Sequence, residues 1–274
     1  MGLSPAGFDY VRTLIKQRAA IVLDDSKHYL VEARLGALAR REGAPSVDAL
    51  IDTLRAAPFH ALHRKVVSAM TTNETSFFRD VHPFDALRKS VLPDLIARRR
   101  TARAISIWSA ACSTGQEAYS IAMLIREHFP ELAGWHVRIL GTDLSDDVLE
   151  RARVGRFSQL EVNRGLPAPL LVKHFKQFGT DWQISDEIRR MVDYRSLNLI
   201  EPWPTLLPFD IVFLRNVLIY FDVETKRSIL ANLRRVLRPD AYLFLGGAET
   251  TLNLDETFER VPIDRAACFR RRAA

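Results

Sequence analysis

The chain has few of the features that mark membrane, secreted or metal-binding proteins. Its 274 residues include only 2 cysteines, Cys112 and Cys268, which form neither a zinc-site spacing nor a disulfide framework. We expect two ordinary buried thiols. No stretch approaches the roughly 18 consecutive apolar residues of a membrane span, and the N-terminal segment does not read as a secretory signal. These absences predict a cytoplasmic globular protein without a metal site or membrane insertion.

Charge of one sign is only moderately in excess. The formal net charge is +6, and part of it lies in Arg98-Arg99-Arg100 and in the C-terminal run 270–272. Such runs form solvated faces or attract an acidic partner. Basic residues interleaved with aromatics are missing, as are known nucleic-acid-binding signatures. We therefore do not expect nucleic acid as a partner.

The periodicity of apolar residues changes once along the chain. Residues 4 to about 71 repeat at three- and four-residue intervals, which predicts helices, and Ser26 and Ser46 are expected to cap two of them. Beyond residue 105, strands alternate with helices, which favours an α/β fold with a doubly wound, mostly parallel sheet. The predicted strands and the closing hairpin span 105–110, 137–141, 210–214, 241–245, 258–263 and 266–269.

This reading gives a helical N-terminal domain over 1–80, a linker over 81–104 and an α/β domain over 105–274. The alternation of strands and helices is interrupted at about 155–196, a stretch that is partly rich in Pro, Gly and polar residues. This interruption predicts an inserted small subdomain. On the second N-terminal helix Lys27, Arg34 and Arg41 are seven residues apart and share one face. That face is either simply solvated or a docking face for an acidic helix.

The most informative segment runs from Ile105 to Met123. An apolar strand leads into the small residues 111–115 and then into a helix that Glu117 opens. Such a strand–turn–helix points backbone N–H groups and a helix N-terminus at a ligand on the turn. Gly115 stands alone where a dinucleotide fingerprint needs more glycines. The segment therefore predicts a nucleoside ligand without phosphates, and S-adenosylmethionine fits.

Three further segments carry polar residues where a ligand would lie. Asp143 follows the second strand and is expected either to accept hydrogen bonds from ribose hydroxyls or to cap the next helix. Arg79 follows the aromatic pair Phe77-Phe78 in the segment 71–80 and could hold a carboxylate with its planar fork. The alternative for this segment is a capped helix start with the two Phe side chains in the core. Asn216 and Tyr220 follow the strand 210–214. Either residue could instead have a purely structural role, which for Tyr220 would be packing in the hydrophobic core.

Four motifs together resemble the chemotaxis receptor methyltransferases, the CheR family. They read T-T-N-E-T-S-F-F-R-D, S-A-A-C-S-T-G-Q-E-A-Y-S-I-A, R-N-V-L-I-Y-F-D and L-F-L-G-G-A-E. They occur in the family's order and spacing, and the similarity covers nearly the whole chain. The resemblance implies a small all-helical N-terminal domain, a Rossmann-like methyltransferase domain and an inserted β-subdomain at about 155–196.

The resemblance also assigns roles by position. It implies that Arg79 and Tyr220 lie nearest the transferred methyl group and that the N-terminal domain, with Lys27, Arg34 and Arg41, contacts the receptor. The implied cofactor contacts are Asn73, Thr75, Arg79, Glu117, Asp143, Asn198, Leu199, Arg215 and Asn216.

The implied reaction transfers a methyl group from S-adenosylmethionine to glutamate γ-carboxylates of a chemoreceptor's cytoplasmic domain, leaving S-adenosylhomocysteine. The segment between Phe175 and Asn198 looks shorter than in members that grip a receptor peptide, so we expect no tether, and we expect a monomer. The alternatives are a cofactor-binding scaffold without transfer activity, a nicotinamide-dependent oxidoreductase and a nucleic-acid methyltransferase. The single glycine of the turn disfavours the oxidoreductase. The nucleic-acid methyltransferase is disfavoured because the Arg215–Tyr220 segment lacks the proline- and aromatic-rich motif expected of that class.

Overall fold

The computed structural model describes residues 3–272. They form two compact units, one reaching to Thr72 with Tyr220–Thr225 added, the other comprising Asn73–Ile219 and the chain from Lys226 onward. The division comes before Arg79, which the sequence analysis placed in the helical domain. Arg79 and the polar segment from Asn73 onward therefore belong to the larger unit. Within residues 3–272 no helix is both long and apolar enough to cross a membrane.

The smaller unit is helical, as its periodicity predicts. Ser46 caps its third helix by accepting the Ala49 N–H at 3.1 Å, as expected. Ser26 is not a cap, because Asp24 accepts the Ser26 N–H at 2.9 Å and opens a short 3-10 turn there. The helices are α1 (Pro5–Ala19), α2 (His28–Arg41), α3 (Val47–Arg55) and α4 (Ala61–Met70). Their core is formed by Val11, Ile15, Val31, Leu35, Leu50, Ile51, Leu54 and Val66, all essentially unexposed.

The larger unit contains a seven-stranded sheet, and the mostly parallel α/β prediction is confirmed. Its strands are β1 (Ala104–Ala110), β2 (His136–Asp143), β6 (Val192–Ser196), β7 (Phe209–Leu214), β8 (Leu237–Leu245), β9 (Phe258–Arg260) and β10 (Cys268–Arg271). The order is β6-β2-β1-β7-β8-β10-β9, with β10 antiparallel to both neighbours. The expected closing hairpin is thus present. Because β2 and β7 flank β1, the strand order reverses at β1, where doubly wound sheets bind ligands.

Helices connect these strands. They are α5 (His82–Ala86), α6 (Leu92–Arg98), α7 (Gln116–His128), α8 (Asp146–Val154), α9 (Gln159–Asn163), α10 (Ala168–His174), α11 (Asp186–Arg189) and α12 (Val223–Val236). A π-helical turn over Leu87–Val91 joins α5 to α6. The interpretation of 81–104 as a linker is wrong, because Leu87, Val91, Leu92 and Leu95 are fully buried in the core of the larger unit.

The predicted insertion holds a separate antiparallel sheet of β3 (Arg156–Ser158), β5 (Asp181–Ile184) and β4 (Phe175–Phe178), in that order. Its end differs from the expected boundary, since β6 lies within 155–196 but pairs in parallel with β2 of the main sheet. The basic run at Arg98-Arg99 is an internal contact, because Arg99 pairs with Asp210 at 2.8 Å and Asp240 at 2.7 Å. Both cysteines are free and buried, as expected.

Candidate active site

The turn after β1 is shaped by positive backbone angles. Ala111 and Ser113 have φ of 54° and 51°, and Gly115 has φ of 92°. A Cβ on Gly115 would also lie 2.6 Å from the Tyr194 hydroxyl. The glycine is therefore required by backbone conformation and by close packing against Tyr194 of β6.

Asp143 ends β2 and lies beside this turn. Its Oδ2 accepts the Ser113 N–H at 2.9 Å and its Oδ1 accepts the Ser145 N–H at 3.0 Å. The side chain is nearly buried and forms no ion pair within residues 3–272. Burial raises the pKa of Asp143, and the backbone N–H donors of Ser145 and Ser113 oppose part of that rise. The helix cap itself is Ser145, whose hydroxyl accepts the Val148 N–H.

Glu117 and Arg215 form a buried ion pair across the first turn of α7. Arg215 Nη1 lies 2.8 Å from Glu117 Oε2, and Ser109 Oγ donates to Glu117 Oε1 at 2.8 Å. Arg215 Nη2 donates to the Arg79 carbonyl at 2.9 Å and to Asp80 at 2.8 Å. Its side chain is only 1% exposed, and both terminal nitrogens are committed to protein groups, whereas the buried Nε has no hydrogen-bond partner within residues 3–272. The cofactor contact that the resemblance implies at Arg215 stays a prediction.

The segment from Asn73 to Asp80 lies against this turn. Ser113 Oγ donates to the Asn73 carbonyl at 2.9 Å, and Thr75 is half-buried. Arg79 is partly exposed, and its Nη1 donates to the Glu74 carbonyl at 2.8 Å. Within the described chain it forms no ion pair with a carboxylate at 4.0 Å or less.

The inserted subdomain also supports this segment. Phe77 is fully buried and packs edge-on against Phe157 and Phe175, with ring centroids 5.0 and 5.7 Å apart. A Cβ on Gly165 would lie 2.1 Å from the Phe77 carbonyl oxygen, and Gly165 has φ of 88°. The position of the Asn73–Asp80 segment therefore depends on the insertion.

Asn198 and Leu199 follow β6, next to Asp143. The Leu197 N–H donates to the Asp143 carbonyl at 3.0 Å, and Asn198 Oδ1 accepts the Ile200 N–H at 3.2 Å. Leu199 is buried. The structure thus places both residues beside the Asp143 end of the sheet.

Asn216 follows β7 in a left-handed conformation, with φ of 57°. Glu249, the last residue of the L-F-L-G-G-A-E motif but not one of the predicted site residues, accepts its N–H at 2.8 Å. The signal that could have found Glu249 is an acidic residue shortly after a glycine pair at the end of a buried strand. Tyr220 ends the 3-10 turn Leu218–Tyr220 and is grouped with the helical unit.

The three basic residues of the proposed docking face differ from one another. Arg34 is committed to its own unit, because Nη1 donates to the Met70 and Thr71 carbonyls at 2.8 and 2.9 Å. Lys27 precedes α2 rather than lying within it. Arg41 is exposed, 3.9 Å from Glu42. All three stay candidates for a partner contact, with Nη1 of Arg34 already bonded within its own unit.

Comparison with known proteins gives the family. The model described as CheR methyltransferase, SAM binding domain, matches residues 73–267, and CheR methyltransferase, all-alpha domain, matches 6–71. The chain belongs to the CheR methyltransferase family. The boundary between the two matched family models falls where the structure divides into two units. The sequence resemblance is thereby confirmed.

Curated CheR relatives are similar over nearly their full length. Chemotaxis protein methyltransferase 1 of Pseudomonas aeruginosa is 39% identical over 274 residues, covering 98% of this chain and 99% of the relative. Chemotaxis protein methyltransferase Cher2 of Pseudomonas putida is 39% identical, covering 93% and 94%. The Escherichia coli chemotaxis protein methyltransferase is 34% identical, covering 94% and 89%.

The CheR chain is therefore an S-adenosylmethionine-dependent methyltransferase of chemotaxis. The charges at the carboxyl edge of the sheet fit this cofactor. Asp143 and Glu249 are both nearly buried, and neither forms an ion pair in the described part of the chain. Carboxylates at this edge disfavour a pyrophosphate, because its charge has the same sign as theirs.

Proposed function

We propose that this CheR protein methylates glutamate γ-carboxylates in the cytoplasmic domain of a chemoreceptor. The observation that carries the proposal is Arg79, which is partly exposed and makes no ion pair of 4.0 Å or less within residues 3–272. Its charge acts on Glu74, whose pKa is lowered by Arg164 and, to a smaller extent, by Arg79. Arginine recognises carboxylates through two parallel hydrogen bonds. Its backbone is fixed by Arg215, so the fork is presented from a held position.

The cofactor would be held at the ends of β1, β2, β6 and β7. The proposed contacts are Asn73, Thr75, Arg79, Glu117, Asp143, Asn198, Leu199, Arg215 and Asn216. Of these, we assign the ribose hydroxyls to Asp143, whose two oxygens retain free lone pairs beside the backbone donors that they already accept. The Arg215 side chain would act through Glu117 and the Arg79 carbonyl. When bound, S-adenosylmethionine supplies a methyl group on a positively charged sulfur.

No general base is needed on the protein. A free glutamate has a pKa of about 4.3, so the accepting carboxylate is already ionised at neutral pH. The task of the protein is alignment, which can contribute effective molarities of roughly 10⁵ M or more. We assign orientation of the incoming carboxylate to Arg79. Tyr220, which directly follows Ile219 in the chain, is the second proposed catalytic residue and would border the methyl path.

The helical unit would contact the receptor through Lys27 and Arg41, because methylation regions rich in glutamate present acidic helices. Charge reversal at both positions should raise the apparent KM for receptor and leave cofactor affinity unchanged. Arg34 is excluded from this test, because its substitution would also remove hydrogen bonds to Met70 and Thr71. Weakened cofactor binding in the double variant would contradict the docking role.

The deciding assay uses labelled S-adenosylmethionine and receptor cytoplasmic fragments, made with and without their C-terminal peptide. Release of the label as volatile methanol in base identifies a carboxyl methyl ester. Arg79→Ala should reduce the rate by orders of magnitude and Arg79→Lys only partly restore it, whereas the exposed Arg100→Ala is the matched control. Cofactor binding without transferred label would instead indicate a scaffold, and near-normal rates in Arg79→Ala would remove the assigned role. Equal rates on both fragments would support methylation without a tether.

A further inference from the structure

The end of β8 turns a buried carboxylate back onto the end of β7. Glu249 is 7% exposed and accepts four backbone N–H groups. Its Oε2 accepts from Gly246 at 2.7 Å and Asn216 at 2.8 Å. Its Oε1 accepts from Val217 at 2.9 Å and Ile219 at 3.3 Å. One side chain thus organises the whole turn that follows β7.

Gly246 contributes space to the same arrangement. A Cβ on it would lie 2.8 Å from Asn216 Nδ2, 3.0 Å from Asn216 N and 2.7 Å from Glu249 Oε2. The Asn216 side chain therefore lies against the bare α-carbon of Gly246. The next residue, Gly247, is exposed, and a Cβ there would meet nothing within 4 Å. Only the first glycine of the pair is required by packing.

We propose that Gly246 and Glu249 are positioning residues for Asn216. Asn216 has φ of 57°, a conformation that costs free energy unless surrounding contacts hold it. Glu249 holds its backbone N–H through a hydrogen bond to a charged acceptor, which is stronger than a neutral one. Gly246 lets the amide side chain lie at the surface of the sheet edge. The inference rests on the proposed contact between Asn216 and the cofactor.

The test measures binding of S-adenosylmethionine by calorimetry, without receptor. Gly246→Ala and Glu249→Gln should each weaken binding at least tenfold. Gly247→Ala and the exposed Glu256→Gln are matched controls and should stay within twofold of the unmodified protein. Near-ultraviolet circular dichroism establishes that each variant is folded at the assay temperature. If Glu249→Gln does not fold, the two alanine variants at the glycine pair decide the question.

A double-mutant cycle separates positioning from a general structural effect. If Glu249 acts through Asn216, then Asn216→Ala with Glu249→Gln should bind no more weakly than Asn216→Ala alone. Multiplying effects in the double variant would overturn the inference, as would unchanged binding in Gly246→Ala or in Asn216→Ala. Because no receptor is present, failure of the proposed glutamate specificity would leave this result untouched.

Discussion

Replacing Arg215 by Met tests whether this buried arginine supports the fold of the site or contacts the cofactor. The substitution removes the ion pair with Glu117 and the hydrogen bonds to the Arg79 carbonyl and Asp80. It also removes the stacking of the guanidinium on Phe84, 5.7 Å from the ring centroid. Met keeps much of the apolar volume, so the change is mainly one of charge and hydrogen bonding.

The expected loss of stability follows from burial. Removing one partner of a buried ion pair costs about 3–5 kcal/mol, because the other charge is left uncompensated. For a unit of this size, 1 kcal/mol corresponds to about 2–4 °C in Tm. The Asp80 side chain is 50% exposed and Glu117 only 12%, so nearly all of the cost lies at Glu117. We therefore expect the lower part of the range, a fall in Tm of roughly 6–12 °C.

Scanning calorimetry with and without S-adenosylmethionine checks this expectation. Arg215→Met should lower Tm and the rate of methyl transfer, and adding Glu117→Gln should cost less than the sum of the single changes because both charges are then absent. The exposed Arg235→Met provides a control for loss of charge in the same unit. Unchanged Tm combined with much weaker cofactor binding would refute the stabilising role of Arg215 and support a direct contact with the cofactor.

Three other perturbations test separate parts of the chain. Asp143→Asn should weaken S-adenosylmethionine binding about 10- to 150-fold, since a hydrogen bond to a charged group is worth about 1.5–3 kcal/mol. Calorimetric titration measures the affinity, and an unchanged value would exclude the contact between Asp143 and the ribose. Gly165→Ala should slow methyl transfer by displacing the Phe77 carbonyl. Gly179→Ala should not, because Gly179 also has a positive φ but open space around its α-carbon. Equal rates of the two variants would show that the Asn73–Asp80 segment is not coupled to the insertion. Burial and the neighbouring His60 lower the pKa of His63, so the folded state binds its proton less readily than the unfolded state. The free energy of unfolding is therefore not reduced by His63 above its ordinary pKa of 6.5 and falls as the pH drops below that value. Urea unfolding at pH 7.5 and 5.5 should show this loss of stability, and the loss should be smaller in His63→Gln.

The sequence predicted the fold because its periodic signals are local. The alternation of strands and helices beyond residue 105 and the polar residues at strand ends placed Asp143 and Asn216 at one edge of one sheet, as the structure has them. Spacing alone could not show which side chains of 83–100 are buried. That is why a packed helical segment was taken for a linker.

The contacts between distant segments could not be predicted in the same way. Arg215 and Glu117 are separated by 98 residues in sequence, and Arg34 reaches Met70 across 36. A basic residue on a helix face looks the same in sequence whether it meets solvent, a partner or a carbonyl of its own domain. Only the tertiary structure shows that Arg34 and Arg215 are already bonded.

Backbone strain and charge at the carboxyl edge of the sheet have one common explanation. Val81, a β-branched residue, has φ of 47°, and Asp80, Ser113 and Asn216 are also left-handed; each such residue costs on the order of 1–3 kcal/mol. Arg215 bonds the carbonyl that precedes Asp80, Asp143 bonds the Ser113 N–H and Glu249 bonds the Asn216 N–H, so buried charged groups hold the strained loops in place. Arg215 is neutralised by Glu117, which leaves two buried carboxylates without a cation. The buried groups that stabilise the strained loops therefore also set the charge at this edge of the sheet.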